Sequence, residues 1–239
     1  MPAPPPVRPT RLNRERAGKI LDILEKTYPD ADCELKYRNA FELVVATILS
    51  AQCTDERVNQ VTPALFARFS TAEAMAKARP AQIEAIIRPT GFFRAKTKSI
   101  LGCARALVAD HGGQVPRTMA EMVKLPGVGR KTSSVVIGHA YRLAEGIAVD
   151  THVLRVSNRL GIARGDDPIE VERQLMALVP PERWIKTTDL LIFHGRRICQ
   201  ARRPACGTCP VFSLCRWPYR QAFALGQVPK VARARAHAR

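Results

Sequence analysis

Leu125-Pro126-Gly127-Val128-Gly129-Arg130-Lys131-Thr132, followed nineteen positions after Lys131 by Asp150, is the stretch on which the fold turns. Pro126-Gly-Val-Gly is a tight turn between two apolar stretches. The first runs from Met119 to Leu125 and is opened by Thr118 with Glu121 three residues on, a capping box. The second starts at Arg130 and places Thr132, Val135, Val136, Ile137 and Ala140 at helical spacing. The pattern predicts two short helices meeting at Gly-Val-Gly. Glycine allows positive φ and close backbone approach. The N–H groups of Gly127, Gly129 and the next helical turn, with that helix's dipole, would then cradle an anion such as a nucleic-acid phosphate. An ordinary αα-hairpin fits the same pattern. A dinucleotide fingerprint does not, because no strand precedes the turn and no third glycine follows.

Lys131 gives the turn a possible chemistry. A lysine amine attacks carbon electrophiles only when neutral, and an ordinary lysine titrates at about 10.4. A neighbouring cation such as Arg130 and a helix N-terminus both favour the neutral form. A lone lysine in a basic chain is equally a phosphate contact or a solvated charge, so the spacing leaves both roles open.

The chain of 239 residues carries 38 Lys and Arg against 21 Asp and Glu, a net charge of +17. That imbalance predicts a polyanion partner and salt-sensitive binding. At 46% hydrophobic residues a real core is expected, in one large or two small domains. No run reaches the length of a membrane span, and Met1-Pro-Ala-Pro-Pro-Pro lacks the apolar segment of a signal peptide, which predicts a soluble cytoplasmic protein. Cys33, Cys53 and Cys103 stand alone in apolar surroundings and read as buried thiols. The other four form Cys199-x6-Cys206-x2-Cys209-x5-Cys215, a cluster that in a reducing compartment means metal rather than disulfides.

Taken in order, Arg14 to Thr27 presents Ile20, Leu21, Ile23 and Leu24 on one helical face. Asn39-x-x-Glu42 opens a stretch to Ser50 that is apolar on nearly every side, a core helix. Thr54 or Asp55 caps the next, Ser70-x-x-Glu73 opens a short one, and Pro80 starts another. Pro89-Thr90-Gly91 breaks the chain before an amphipathic helix from about Arg94 to Asp110. Thr151 to Leu160 is helical with Gly161 beyond its end. Asp167-Pro168 starts a further helix, and Arg183 to Ile198 delivers Cys199. No alternating strand stands out, so the expected class is all-α.

Asp150 precedes Thr151 as a helix N-cap, a role that needs no further purpose. A fixed carboxylate near a neutral lysine is also a recognisable pair. The carboxylate stabilises positive charge on a sugar carbon as its base departs. The amine captures that carbon as a Schiff base, which eases β-elimination of the 3′ phosphate. Spacing does not establish that the two meet.

Leu125-Pro-Gly-Val-Gly-Arg-Lys131-Thr, Val149-Asp150-Thr-His152, Leu49-Ser-Ala-Gln52-Cys-Thr-Asp55 and the x6, x2, x5 cysteine loop occur in the order found in the helix-hairpin-helix iron–sulfur DNA glycosylases of the endonuclease III type, which the chain resembles from about Arg14 to Cys215. The resemblance implies an all-α protein of two helical domains. One is a six-helix domain over 31–145 containing the hairpin at about 118–140. The other combines 12–30 with 146–217 and holds a 4Fe–4S cluster on residues 199–215. Residues 1–11 and 218–239 are expected to be disordered tails.

The same resemblance makes Lys131 and Asp150 the catalytic pair and Cys199, Cys206, Cys209 and Cys215 the cluster ligands. One close cysteine pair with wide flanking gaps suits a zinc module poorly. Gly127, Val128, Gly129 and Arg130 would grip phosphate, and Arg202 and Arg203 form a basic loop tip that would add to it. Gln52 matches the residue that fills the gap left by a flipped base; a helix-end amide capping carbonyls is its alternative. Phe92 stands where leucine is common and would wedge into the duplex, or else lie in the core. Asp55 and His152 would line the base pocket, or cap and brace helices. The implied activity is a bifunctional glycosylase that excises oxidised pyrimidines from double-stranded DNA and cleaves the abasic site. Related adenine-mismatch glycosylases usually lack the lysine. A monofunctional glycosylase, a non-catalytic DNA-binding module with a structural cluster, and a ferredoxin-like electron carrier are the alternatives; charge and size argue against the last.

Overall fold

The structure, a computed structural model, describes residues 5–227. The expected basic tail from Lys230 to Arg239 lies outside the described residues. All regular elements among the described residues are helical. In order they are α1 (Arg11–Thr27), α2 (Ala40–Leu49), α3 (Asp55–Arg68), α4 (Ala72–Ala76), α5 (Pro80–Ile87), α6 (Phe93–His111), α7 (Met119–Met122), α8 (Arg130–Tyr141), α9 (Thr151–Leu160), α10 (Pro168–Leu178), α11 (Trp184–Arg197) and α12 (Arg220–Ala224), with short 3₁₀ turns between some of them. No helix among them is long and apolar enough to cross a membrane.

The chain divides into two compact units, Cys33–Glu145 and the remainder on either side of it. In the first, α2 is the centre. Eight of its ten residues are buried, so it has no solvent face to spare. It packs on α3, α6 and α8. At its start Asn39 caps Glu42 N–H, and the buried Glu42 carboxylate accepts from the Arg38 backbone N–H and guanidinium at 2.5–2.8 Å. Truncating a fully buried residue such as Leu43 or Leu49 would cost roughly 2–5 kcal/mol.

This unit carries seven α-helices among the described residues, two of them the short helices opened by the Thr71 and Thr118 caps. The first of these caps is Thr71, one residue later than the Ser70 box expected: its hydroxyl accepts from Ala74 N–H at 3.2 Å. The expected helix Met119 to Leu125 stops at Met122, and Leu125 N–H turns back to the Met122 carbonyl to start the hairpin turn.

In the other unit, α9 buries Val153, Val156, Ser157 and Leu160, positions spaced 3-1-3 along one face, against α11. α1 buries Ala17, Ile20, Leu21 and Leu24 and packs on α10 and α11.

Both tails are more ordered within the described residues than expected. Val7 N–H donates to the buried Gln174 amide at 2.9 Å, and Thr10 caps α1. An amide oxygen enclosed among apolar residues needs such donors, and that need holds the segment before α1. Beyond the last cysteine, Trp217 stacks on Phe223 at 5.0 Å and meets Tyr219 edge-on at 5.6 Å, which holds α12 (Arg220–Ala224) against Trp217. The cysteine expectation also needs correcting. Cys103 is buried, and burial pushes its thiol up to about 12. Cys33 and Cys53 are partly exposed.

Candidate active site and metal centre

The hairpin turn is built by two glycines that do different things. Gly127 has φ +77°, and a Cβ there would come within 2.6 Å of Ser99 Cβ on α6, so only glycine fits. Gly129 is the N-cap of α8 at φ −95°, and a Cβ there would meet nothing within 4 Å. Between them Val128 is buried and its N–H bonds the Leu125 carbonyl at 3.0 Å. Because Gly129 has no side chain, the first N–H groups of α8 lack a side-chain cap and face outward for an external acceptor. Arg130 and Lys131 are exposed on that first turn. Lys131 makes no hydrogen bond or ion pair among the described residues, so its amine is not held back by a protein partner.

Asp150 follows the buried run Ile147-Ala148-Val149 and caps α9. Its Oδ1 accepts from both His152 N–H and Val153 N–H at 2.8 Å. Both known bonds fall on one oxygen, leaving Oδ2 uncommitted among the described residues. His152 is half-buried. Arg155 donates to its Nδ1 at 3.1 Å, and since a guanidinium only donates, the ring proton of a neutral His152 sits on Nε2. Lys131 belongs to the unit Cys33–Glu145 and Asp150 to the other.

Gln52 and Phe92 share an unusual backbone. Both are exposed and left-handed, at φ 51° and 47°, among only three such non-glycine residues described. Phe92 is 67% exposed, so the core alternative is set aside, and its ring projects from the N-cap position of α6. The Gln52 amide makes no hydrogen bond among the described residues, so it does not cap α2. Strained conformers of this kind cost about 1–3 kcal/mol and persist where surrounding structure holds them. Lys96 supplies part of that hold. Its buried ammonium donates to the Thr90 carbonyl at 2.8 Å, two residues before Phe92. Burial lowers its pKa below the usual lysine range, while nearby Cys53, the neighbour of Gln52, pulls it the other way. Asp55 is the half-buried first residue of α3, behind the Thr54 cap.

The four clustered cysteines line one cavity with Arg159, Leu160, His194, Ile198, Pro204, Phe212, Trp217 and Arg220. Two one-turn 3₁₀ segments, Cys206–Thr208 and Phe212–Leu214, aim Cys206, Cys209 and Cys215 into it, and the end of α11 supplies Cys199. Burial and then the neighbouring sulfurs push the Cys206 and Cys209 thiols up to about 11 and raise Cys215. Cys206, Cys209 and Cys215, held this way beside one another, ionise together only around a strongly positive centre. The lining offers four sulfurs, one imidazole, two guanidiniums and apolar side chains but no carboxylate, which fits thiolate-held iron–sulfur and not a hard cation. Arg202 and Arg203 are exposed on the loop between Cys199 and Cys206.

Sequence reasoning missed three contributors here. Arg155 donates to the Cys199 and Gly195 carbonyls at 3.2 and 3.0 Å. Arg159 reaches Cys199 Sγ at 3.5 Å and the Gln200 and Ala201 carbonyls at 2.8 Å, with its guanidinium 4.3 Å over the Trp217 ring. Their i, i+4 spacing behind Asp150 was visible, but nothing in it named a loop more than forty residues away. His194, buried beside the cavity, gave no signal; burial lowers its pKa to about 4.

Residues 45–181 match the model of the HhH-GPD superfamily of base excision DNA repair proteins, and residues 199–215 match the iron–sulfur binding domain of endonuclease III. The chain is 50% identical to endonuclease III of Synechocystis over 209 residues, 87% of this chain and 95% of the relative. It is 47% identical to that of Bacillus subtilis over 86% of this chain and 94% of the relative. Among solved structures, a non-covalent endonuclease III–DNA complex and a trapped endonuclease III–DNA covalent intermediate each superpose with TM-score 0.81 at 45% identity, covering 85% of this chain and 95% of theirs.

Proposed function

This chain belongs to the endonuclease III family of HhH-GPD base-excision repair proteins, a DNA glycosylase and abasic-site lyase that repairs oxidised pyrimidines, and we propose that Lys131 and Asp150 divide that chemistry between them. Lys131 Nζ is the nucleophile. Its lone pair bonds to C1′ of the damaged nucleotide as the glycosidic bond breaks, and the base leaves with that electron pair and takes up a proton. Opening of the sugar ring leaves a protonated Schiff base on Lys131. Loss of a C2′ proton then expels the 3′ phosphate and nicks the strand. Asp150 Oδ2 faces the positive charge that develops on the sugar, while Oδ1 stays engaged with the start of α9.

The observation that carries this assignment is the pair of uncommitted atoms. Among the described residues Lys131 stands exposed on the first turn of α8 without a hydrogen bond or ion pair, and both hydrogen bonds of the Asp150 carboxylate fall on Oδ1. The covalent DNA intermediate trapped for a relative at 45% identity supports a nucleophilic side chain. Gly127, Val128, Gly129 and Arg130 grip the strand by its phosphates, with Arg202 and Arg203 adding a second basic contact. Gln52 and Phe92 fill and wedge the duplex as the base is flipped, and Asp55 and His152 line its pocket. Cys199, Cys206, Cys209 and Cys215 hold the 4Fe–4S cluster of the family, whose contribution there is to cross-link a loop with little apolar core of its own. The substrate is double-stranded DNA bearing a damaged pyrimidine or an abasic site, handled by a monomer in the cytoplasm.

Borohydride trapping on a duplex with thymine glycol tests the nucleophile. Wild type should form a covalent adduct and nick the strand, and Lys131→Gln should do neither while binding the duplex normally. An adduct in Lys131→Gln would remove Lys131 from this role.

A further inference from the structure

Tyr28 plays no part in anything above, yet it ends a buried polar chain that runs to the metal centre. It is the C-cap residue of α1 and only 4% exposed. Its hydroxyl lies 3.1 Å from Nδ1 of His194, on α11, and His194 Nε2 lies 3.7 Å from Cys209 Sγ. His194 is 1% exposed, so no water competes freely for either ring nitrogen. All three residues belong to one compact unit.

The direction of the chain follows from the chemistry of its last member. A cysteine sulfur that ligates iron has no proton and can only accept. The ring must therefore present its N–H at Nε2. A neutral imidazole has one N–H, so Nδ1 is the acceptor and the Tyr28 hydroxyl is the donor. Every proton in the chain is assigned once Cys209 is a ligand, and no polar atom along it is left without a partner.

We propose that Tyr28 and His194 are a positioning pair for the iron–sulfur cluster, a two-step hydrogen-bond relay that ends on Cys209 Sγ and sets the charge that this sulfur shares with iron. The proposal rests on Cys209 being a cluster ligand. A donor aimed at a thiolate withdraws electron density and favours the more reduced state of the cluster, which carries more negative charge. Tyr28 is well held for the task. Phe193 packs near its ring at 6.4 Å, and the Arg197 guanidinium lies 5.4 Å over its face and pairs with Asp30 at 3.0 Å. Cys199 receives a different donor, Arg159 at 3.5 Å, so the cluster's environment is polarised from two sides by unlike groups, one charged and one neutral.

The test uses the purified holoprotein, with iron content and visible absorbance measured first. The midpoint potential of the cluster is then compared in wild type, Tyr28→Phe, His194→Leu and the double variant. His194→Leu should shift the potential to more negative values, Tyr28→Phe should shift it the same way by less, and the double variant should match His194→Leu. Resonance Raman iron–thiolate bands should move on transfer to D₂O in wild type, and that isotope shift should vanish in His194→Leu. Unchanged potentials in variants with full iron content would overturn the relay. So would a Tyr28→Phe shift that persists undiminished on the His194→Leu background. Should His194→Leu fail to assemble its cluster, Tyr28→Phe decides alone, since it keeps the ring and its packing: an unshifted potential refutes the proposal. A wild-type protein without iron would instead defeat the ligand assignment itself.

Discussion

In the proposed mechanism Asp150 does two jobs with two oxygens, and two substitutions separate them. Oδ1 satisfies two N–H groups at the start of α9 at 2.8 Å each. Asp150→Asn keeps an oxygen that can cap and loses only the charge beside the helix dipole, which is worth about 0.3–1 kcal/mol. Asp150→Ala also loses the cap, about 2 kcal/mol at the upper end of the range because the residue is half-buried and makes both bonds. At about 2–4 °C per kcal/mol for a chain of this size, Asn should lower the unfolding midpoint by about 1–3 °C and Ala by about 5–10 °C. Excision should not follow that order. Both variants lose the charge facing the sugar, a loss on the order of 3–4 kcal/mol or 10²–10³ in rate. Circular dichroism melts of cluster-loaded protein and single-turnover excision of thymine glycol read the two effects independently. An Asp150→Asn protein that excises at the wild-type rate refutes the electrostatic role. An Asn variant that melts as low as Ala refutes the division of labour between the oxygens.

Gly127→Ala should lower stability by about 1–3 kcal/mol, because φ +77° and the Ser99 contact both oppose a Cβ; Gly129→Ala should cost under about 1 kcal/mol yet weaken duplex binding, since its methyl would occupy the approach of a phosphate. Melting curves beside fluorescence anisotropy check the pair, and equal effects on both readouts would refute the distinction. Lys96→Met should slow excision from a paired duplex by about tenfold, the low end of the ~1.5–3 kcal/mol of a charged hydrogen bond, through loosening of the Thr90 turn. Nicking at a preformed abasic site should change less in that variant, and an equal loss on both substrates would place Lys96 outside the wedge. Replacing Arg202 and Arg203 together with Ala should reduce the slope of log affinity against log salt by about 2, and an unchanged slope would remove both from the DNA interface.

The helices, the hairpin and the cysteine loop were legible because each rests on local chemistry. Asp150, Asp167 and Thr118 cap where their spacing to the next apolar run says they should, and Gly129 opens α8 where the apolar period restarts. The choice between wedge and core at Phe92 was not legible in the local pattern, because a phenylalanine beside Phe93 fits both until the backbone at Gly91 and Phe92 is seen to turn its ring outward. Nor was the folded segment after Cys215, which has no helical period and is held by ring stacking on Trp217. Long-range polar contacts left no periodic trace at all. His194 sits in the apolar run Leu190-Leu-Ile-Phe193, which predicts burial but not the partner that makes it tolerable, while Lys96 and Tyr28 stand among polar neighbours that do not signal burial at all.

Arg155 and Arg159 show what those unseen contacts accomplish together. Asp150 starts α9, and the two arginines lie five and nine residues on, about 7–14 Å along the axis at 1.5 Å per residue. Between them they take the backbone carbonyls of Gly195, Cys199, Gln200 and Ala201. Those carbonyls mark the end of α11 and the entrance to the cysteine loop, where a helix terminus would otherwise leave acceptors unpaired. The same Arg155 donates to His152, two residues from the Asp150 carboxylate. Helix α9 therefore cannot shift along its axis without breaking bonds to the end of α11 and the loop. A loop with so little apolar core of its own is thereby tied directly to the helix that carries Asp150. Disordering the loop would release both guanidiniums and the seat of α9 together, so excision should be lost by displacement of Asp150 even though no cysteine touches the substrate.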